Sequence, residues 1–374
     1  MTALTVSAHP LKQCEIPASK WEQFTHRAST EDWLRDEVFR EQWVSPTCLL
    51  YNPDDSLVYV GLTALNGDIF YAFDPASARW ESLHYPTNGD RYASKIHVSL
   101  QWHQGWIYGA VATLADVDMA PRPPGGPLFR FDPRTRQYEL LGTPLPRDYI
   151  QTILIDHARG IVYGTSFPGR RLFRYDLATG KARELAMLGN VLTEHMALDA
   201  EGGLWHPYEL AQWSGRHPLL RYDPERDSVD FLNFDLPDLS DGSAWAGQID
   251  TALTTRDGTV YLGTPKGALI EFDPRGPWAT YLGKPYAAPR MKGLLEADDG
   301  RIFGVAGAQY DTHLFAYERD ARQFRDLGAI VDSRTGVRCW LAHDLCQIGP
   351  NTFCVAECDN HERASFLFKL TLAA

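Results

Sequence analysis

The sequence has no run of the roughly eighteen apolar residues that a membrane-spanning helix needs. It also lacks an excess of positive charge: 36 Lys and Arg stand against 48 Asp and Glu, for a net charge of −12. Nucleic acids and anionic membrane surfaces both call for a basic face, so neither is an expected partner. A long polyanionic substrate would need a local basic pocket. There are six cysteines and no C-x-x-C pair. Cys354, Cys358 and His361 have a loosely metal-like spacing, but buried free thiols acting as small apolar residues are the preferred reading. The start, MTALTVSAHPLKQCEIP, has no basic segment ahead of an apolar run. A secretory leader is therefore not expected; a cytoplasmic location, where disulfides are rare, is. The G-x-S-x-G, P-loop and Rossmann patterns are missing, so serine hydrolase, nucleotide and dinucleotide readings have no motif behind them.

What the sequence does contain is repetition. An apolar–aromatic–acidic run followed by turn residues recurs as YAFDPAS, LFRFDPRT, LFRYDLATG, LLRYDPERD, LIEFDPRG and LFAYERD, with a degenerate copy, FLFKLTL. The spacing runs from 44 residues (Asp132 to Asp176) to 58 (Asp74 to Asp132). Upstream of each run lies a turn and a short strand, as in HQGWIYGA, ARGIVYGT, RDGTVYLG and DDGRIFGV. Further upstream is an apolar run such as IQTILID or DTALTT. Asp followed by Pro suits a type I turn, and Asp-Gly suits a tight hairpin. Four short strands per repeat, seven times over, predict an all-β chain: a seven-bladed β-propeller with four-stranded antiparallel blades.

The seventh copy stops after its third strand. The stretch ALTVSAH (residues 3–9) is expected to supply the fourth and close the ring. Residues 29–43, STEDWLRDEVFREQW, read as one short N-terminal helix, with Ser29 and Thr30 as caps and Glu31–Arg35 and Asp36–Arg40 as i,i+4 pairs. The whole chain, 1–374, is taken as a single domain: 1–44 for the closing strand and helix, 45–374 for the blades.

In a propeller the inner strands line a central channel, and the residues at their starts share one mouth. A count of about twelve residues back from each YG-type landmark nominates Cys48, His97, Thr152, His195 (one residue off), Asp250 or Thr251, Lys292 or Gly293, and His343 (one residue off), with Asp344 beside the last. Three histidines at one level suit general acid–base work, or a divalent metal held by His97, His195 and His343 and completed by Glu209 or water. Loops on the same face add Arg91, Tyr92, Tyr149, His206, Tyr208, Trp245, Gln248, Lys266, Arg290, Gln309, Tyr310 and Trp340 as candidate substrate contacts. Two long insertions, TLADVDMAPRPPGG and YELAQWSGRHP, reach the same region.

The runs KIHVSLQWHQGWIYGA and YIQTILIDHARGIVYGTSFPGRRLFRYDLATGKARELAMLG resemble the seven-bladed propeller polysaccharide lyases of the ulvan lyase and rhamnose–glucuronate lyase type. The resemblance implies β-elimination at a uronate, with His97 as acid or base, Tyr149 as its partner, and an arginine such as Arg91 or Arg290 on the carboxylate. The segment after the second YG strand is GAVATL, without the histidine those lyases usually carry there. The leading expectation is thus a lyase acting on a uronate-containing or other small acidic substrate, carbohydrate included. The rivals are a biosynthetic cyclase, isomerase or dehydratase using the same pocket, and a propeller that binds without catalysis. No cofactor is required by the sequence, although a divalent metal would fit it.

Overall fold

The computed structural model describes residues 4–17, 35–114, 124–189, 194–209, 218–237 and 249–373. They form seven four-stranded antiparallel sheets with very little helix. Blade one is Val44–Asn52, Leu57–Ala64, Phe70–Asp74 and Arg79–Ser82; blade two is Gln101–His103, Trp106–Ala110, Leu128–Asp132 and Gln137–Gly142. Blade three is Tyr149–Asp156, Ile161–Phe167, Arg171–Asp176 and Lys181–Met187; blade four is Ala197–Leu198, Leu204–Pro207, Pro218–Asp223 and Ser228–Asp235. Blade five is Thr251–Thr254, Val260–Gly263, Leu269–Asp273 and Trp278–Gly283; blade six is Met291–Glu296, Ile302–Ala308, Asp311–Glu318 and Gln323–Ala329. Blade seven is Ala342–Gly349, Thr352–Glu357 and Phe366–Leu372, joined by Leu4–Pro10 on its outer edge. First strands of adjacent blades lie side by side and form the centre of the ring.

The recurring sequence words have packing reasons. In blades two, three and six the landmark glycines Gly109, Gly164 and Gly304 sit directly opposite Phe129, Phe173 and Phe315 of the third strand. A Cβ at any of these glycines would collide with the facing ring. An aromatic in the second strand does a second job, because it meets the third-strand aromatic of the next blade. Tyr59 contacts Phe131 (6.1 Å between ring centres), Tyr163 contacts Tyr222 (5.7 Å), Trp205 contacts Phe272 (4.8 Å) and Tyr261 contacts Tyr317 (6.1 Å). Tilted and edge-on pairs of this kind add to the area they bury. The core is accordingly a series of clusters between blades. One of them joins Tyr163 and Leu172 of blade three to Leu204, Leu220 and Tyr222 of blade four.

The aspartates that end the third strands of blades one to five cap the following turns. Asp74 accepts from the Ala76 and Ser77 N–H groups, Asp132 from Arg134 and Thr135, and Asp223 from Glu225 and Arg226. These are the Asx-type bonds that make Asp a turn former.

The N-terminal strand closes the ring as the repeat count requires. Leu4–Pro10 pairs antiparallel with Phe366–Leu372, from Leu4↔Leu372 to Pro10↔Phe366. Its outer edge is covered as well: the Ala8 N–H donates to Asp332 (2.7 Å) and the Val6 N–H to the Ser333 hydroxyl (3.0 Å). The described helix is Glu37–Gln42, shorter than the sequence suggests. Its cap is Asp36, whose carboxylate accepts from the Val38 and Phe39 N–H groups. Asp36 therefore serves as a cap, while Ser29, Thr30 and Glu31 lie outside the described residues. Phe39 anchors the helix to Ile16, Trp43 and Leu65. No helix among the described residues is long and apolar enough to cross a membrane.

Deletion of residues 1–10 is expected to lower the melting temperature sharply, since it strips seven paired residues from blade seven; an unchanged value would disprove closure by this strand. The closing turn also carries a pH signature. Burial alone would raise the Asp332 carboxyl, but the Ala8 N–H, the Thr335 hydroxyl and N–H, and the Arg334 N–H outweigh it and hold it down at about 2. A lowered folded-state value stabilises above the unfolded value and is lost as pH falls through the folded one. Asp332→Asn should therefore cost about 2 kcal/mol at pH 7, and the gap to the parent should close between about pH 4 and pH 2 in parallel denaturant titrations.

Candidate functional site

The starts of the inner strands bring residues from five blades together at one end of the channel. His97 comes from the segment entering blade two and His343 from blade seven. Lys292 comes from blade six, Asp250 from the residue before blade five, and Glu194 from the approach to blade four. His97 and His343 are almost fully buried, at 1% and 4% exposure. Their Nε2 atoms face each other at 3.1 Å. His97 Nδ1 lies 2.9 Å from the Gln151 carbonyl, so it carries the proton and donates there. That leaves the His97 Nε2 lone pair pointing at His343.

The electrostatics keep this pair neutral. Burial pushes His97 well below the ordinary histidine range, and Lys95 and Lys292 push it further. Burial, then Lys292 and His97, do the same to His343. Glu194 spans the pair, with Oε1 3.8 Å from His97 Nε2 and Oε2 3.7 Å from His343 Nε2. The Glu194 Oε2 also accepts from the Lys292 ammonium. Lys292 is 2% exposed, lies 3.8 Å from Asp250, and is lowered to about 8 by burial. Asp250 is raised to about 6 by burial, against the pull of Arg290, whose Nε donates to it at 2.6 Å. Asp344 is raised to about 7 by burial while the Leu49 and Leu345 N–H groups hold its carboxyl at 2.7 and 2.8 Å.

Lys95 completes the group. The residue is half-buried, and burial lowers its ammonium against the opposing pull of the Asp359 carboxylate. Among the described residues it has no carboxylate at ion-pair distance. The register count missed it, yet Lys95 and His97 are two apart in an extended segment and so share a side. Glu194 was missed for a simpler reason. The strict count from His206 falls on it, and a one-residue allowance favoured its histidine neighbour.

The other nominated residues lie elsewhere. His195 is half-buried, lowered to about 4 by burial, and its Nε2 has no hydrogen-bond partner among the described residues. Among the described residues the ligand-capable cluster is His97, Glu194 and His343, without His195 or Glu209. Thr152 donates to the Val98 carbonyl. Tyr149 is wholly buried and its hydroxyl donates to Asp90 (3.0 Å), beside Tyr92, which itself accepts from Arg91. The two residues expected to share the chemistry, His97 and Tyr149, thus have separate partners.

His206 needs a correction. It was read as a loop residue over the mouth, but it lies in the second strand of blade four at 0% exposure. It occupies the position of the landmark glycine, and the facing third-strand residue is Leu220 rather than phenylalanine, which makes room for it. Tyr208 packs edge-on against Phe231. Tyr310 and Trp340 form a rim cluster with His361 and Glu362. Cys354 faces Cys346 across the strands of blade seven, so it and His361 belong to different surroundings. Trp245 and Gln248 lie outside the described residues, as do the central parts of both long insertions.

Leaving Lys292 without its partner should be costly, because a buried unpaired charge is. Glu194→Ala is expected to lose about 3 kcal/mol in urea unfolding, toward the low end of the buried-pair range because Asp250 remains nearby. Adding Lys292→Met should recover most of that loss.

No family model matches the chain, and no curated protein matches it by sequence. Solved structures share its architecture. A catalytically inactive virginiamycin B lyase from Staphylococcus aureus, determined with quinupristin, superposes with a TM-score of 0.62 at 14% identity, over 89% of this chain and 96% of that one. A streptogramin B lyase gives 0.62 at 12% identity, over 99% and 98%. The WD40 repeats of RRP9 give 0.59 at 12% identity, over 89% and 96%. At these identities the likeness is one of fold, and the chain is a seven-bladed β-propeller whose scaffold is shared by enzymes and binding repeats alike.

Proposed function

We propose that the protein is a carbon–oxygen lyase that performs acid–base elimination on a small carboxylate-bearing substrate, a uronate among the candidates, in the central mouth. The observation that carries the reading is Lys95. It is a half-buried lysine with no carboxylate partner among the described residues, close enough to perturb both Lys292 and the histidine pair. In a chain of net charge −12, a cation held this way is suited to an anionic ligand.

Lys95, with Arg290 nearby, neutralises the substrate carboxylate and so acidifies the adjacent C–H. Lys292, lowered to about 8 so that a fraction of it is neutral near pH 7, takes that proton in its neutral form, the C–H electron pair becomes the carbon–carbon double bond, and the C–O bond at the next carbon breaks. The ammonium formed on Lys292, stabilised by Glu194, returns its proton to the departing oxygen. The His97–His343 pair forms the polar wall against which the carboxylate is oriented. Tyr149, whose hydroxyl is committed to Asp90, takes no part in this scheme. The resemblance of the enzyme folds supports the reading, and so does the burial of ionisable groups at the mouth, which costs stability and brings a binding scaffold no return.

Uronate oligosaccharides and small β-alkoxy and β-hydroxy acids should be screened for an ultraviolet-absorbing unsaturated product. Lys292→Met should lower kcat/KM by about 10²-fold or more, and His97→Ala and Lys95→Met should act mainly through KM. Parent-like rates in Lys292→Met, or no turnover of any such acid by the parent, would overturn the assignment.

A further inference from the structure

We propose that His97, His343 and Glu194 form a binding site for one divalent transition-metal ion of the zinc type. The inference deepens the lyase reading, since the ion would face the same mouth as Lys95, but the geometry that carries it is separate. The three ligand-capable groups come from three different blades, and their donor atoms lie within 4.8 Å of one another.

The distances suit a shared ion. Zinc–nitrogen bonds are about 2.0–2.1 Å, so two nitrogens on one ion lie between about 2.9 Å (right angle) and about 3.4 Å (tetrahedral angle) apart. The observed Nε2–Nε2 separation is 3.1 Å. The Glu194 oxygens, at 3.8 and 3.7 Å from those nitrogens, need to close by only a few tenths of an ångström. His97 is already oriented for the role. Its Nδ1–H is fixed on the Gln151 carbonyl, the arrangement that presents Nε2 to a metal and sets the tautomer. Glu194 can ligate through Oε1, on the His97 side, while Oε2 keeps its contact with Lys292.

The donor set indicates the class of ion. Two imidazoles and one carboxylate favour zinc, cobalt, nickel or iron(II) over magnesium or calcium, which prefer all-oxygen sites. Three protein ligands leave a position open, as catalytic rather than structural sites do. With Lys95 and Lys292 adding positive charge nearby, an anionic oxygen of the substrate is the natural fourth ligand. His195, the third histidine in the sequence reading, stays outside the set.

The test is direct binding without substrate. Chelator-treated full-length protein is titrated with Co²⁺, read by its visible d–d bands, and with Zn²⁺, read by calorimetry. One ion per chain is expected, with tetrahedral or five-coordinate cobalt bands. His97→Ala and His343→Ala should weaken binding by about 100-fold or more, and the near-isosteric Glu194→Gln by at least about 10-fold. His195→Ala should leave stoichiometry and spectrum unchanged. Thermal melts of each apo variant confirm that the fold persists, and Glu194→Gln keeps the test decisive if a histidine variant does not fold. Absence of Co²⁺ and Zn²⁺ binding by the parent would overturn the site, leaving the 3.1 Å contact as an N–H···N bond between neutral rings. So would parent-like affinity in Glu194→Gln together with either histidine variant. Binding is read apart from turnover, so a failed elimination assay would leave the metal result standing, and the reverse.

Discussion

The ring depends on a contact made repeatedly between neighbours: a second-strand aromatic of one blade against a third-strand aromatic of the next. Each blade is a small twisted sheet that cannot bury both faces alone. Tyr59 on Phe131, Tyr163 on Tyr222, Trp205 on Phe272 and Tyr261 on Tyr317 tie blades in sequence around the circle. Because each blade relies on the one after it, the arrangement has to close on itself, and Leu4–Pro10 provides the closure.

Closure is also what creates the mouth. Five blades each contribute one or two side chains, and none of those side chains contacts another through local sequence. His97 and His343 are 246 residues apart in the chain and 3.1 Å apart in space. The rigid inter-blade packing fixes such distances, and it allows ammonium groups, carboxylates and neutral imidazoles to be held together away from bulk water. The cost of burying them is offset by pairing: Lys292 with Glu194, Arg290 with Asp250, and His97 with a backbone carbonyl.

Most of the fold was legible because its local words carry steric reasons. A glycine recurs where a phenylalanine lies across the strand, and an aspartate recurs where a turn needs an acceptor. The register of the mouth was legible for the same cause, since a fixed count through a fixed hairpin reaches the same depth in every blade. The count placed His97, Lys292, Asp250 and His343 at one level. It failed where chemistry was weighed above register, passing over Glu194 for His195. It also overlooked that Lys95 shares a side with His97. His206 was misassigned because blade four carries histidine where blades two, three and six carry glycine, and Leu220 faces it where those blades carry phenylalanine. A one-sided pattern search does not see such a paired change. The partner of Tyr149 was out of reach for another reason: Asp90 lies 59 residues away in a loop with no repeat to index it.

The pairing of Leu4 with Leu372 has a consequence for biogenesis. During synthesis Leu4–Pro10 emerges more than 350 residues ahead of its partner strand, Phe366–Leu372. Blades one to six can assemble in order as they emerge, each on its predecessor, while the leading strand waits exposed, an unpaired edge of the kind that invites association with other chains. Its two outward N–H groups at Val6 and Ala8 find the Asp332–Ser333 turn late as well. The final latch is therefore a long-range event, slow by topology, and Phe366–Leu372 must be made before the circle can shut.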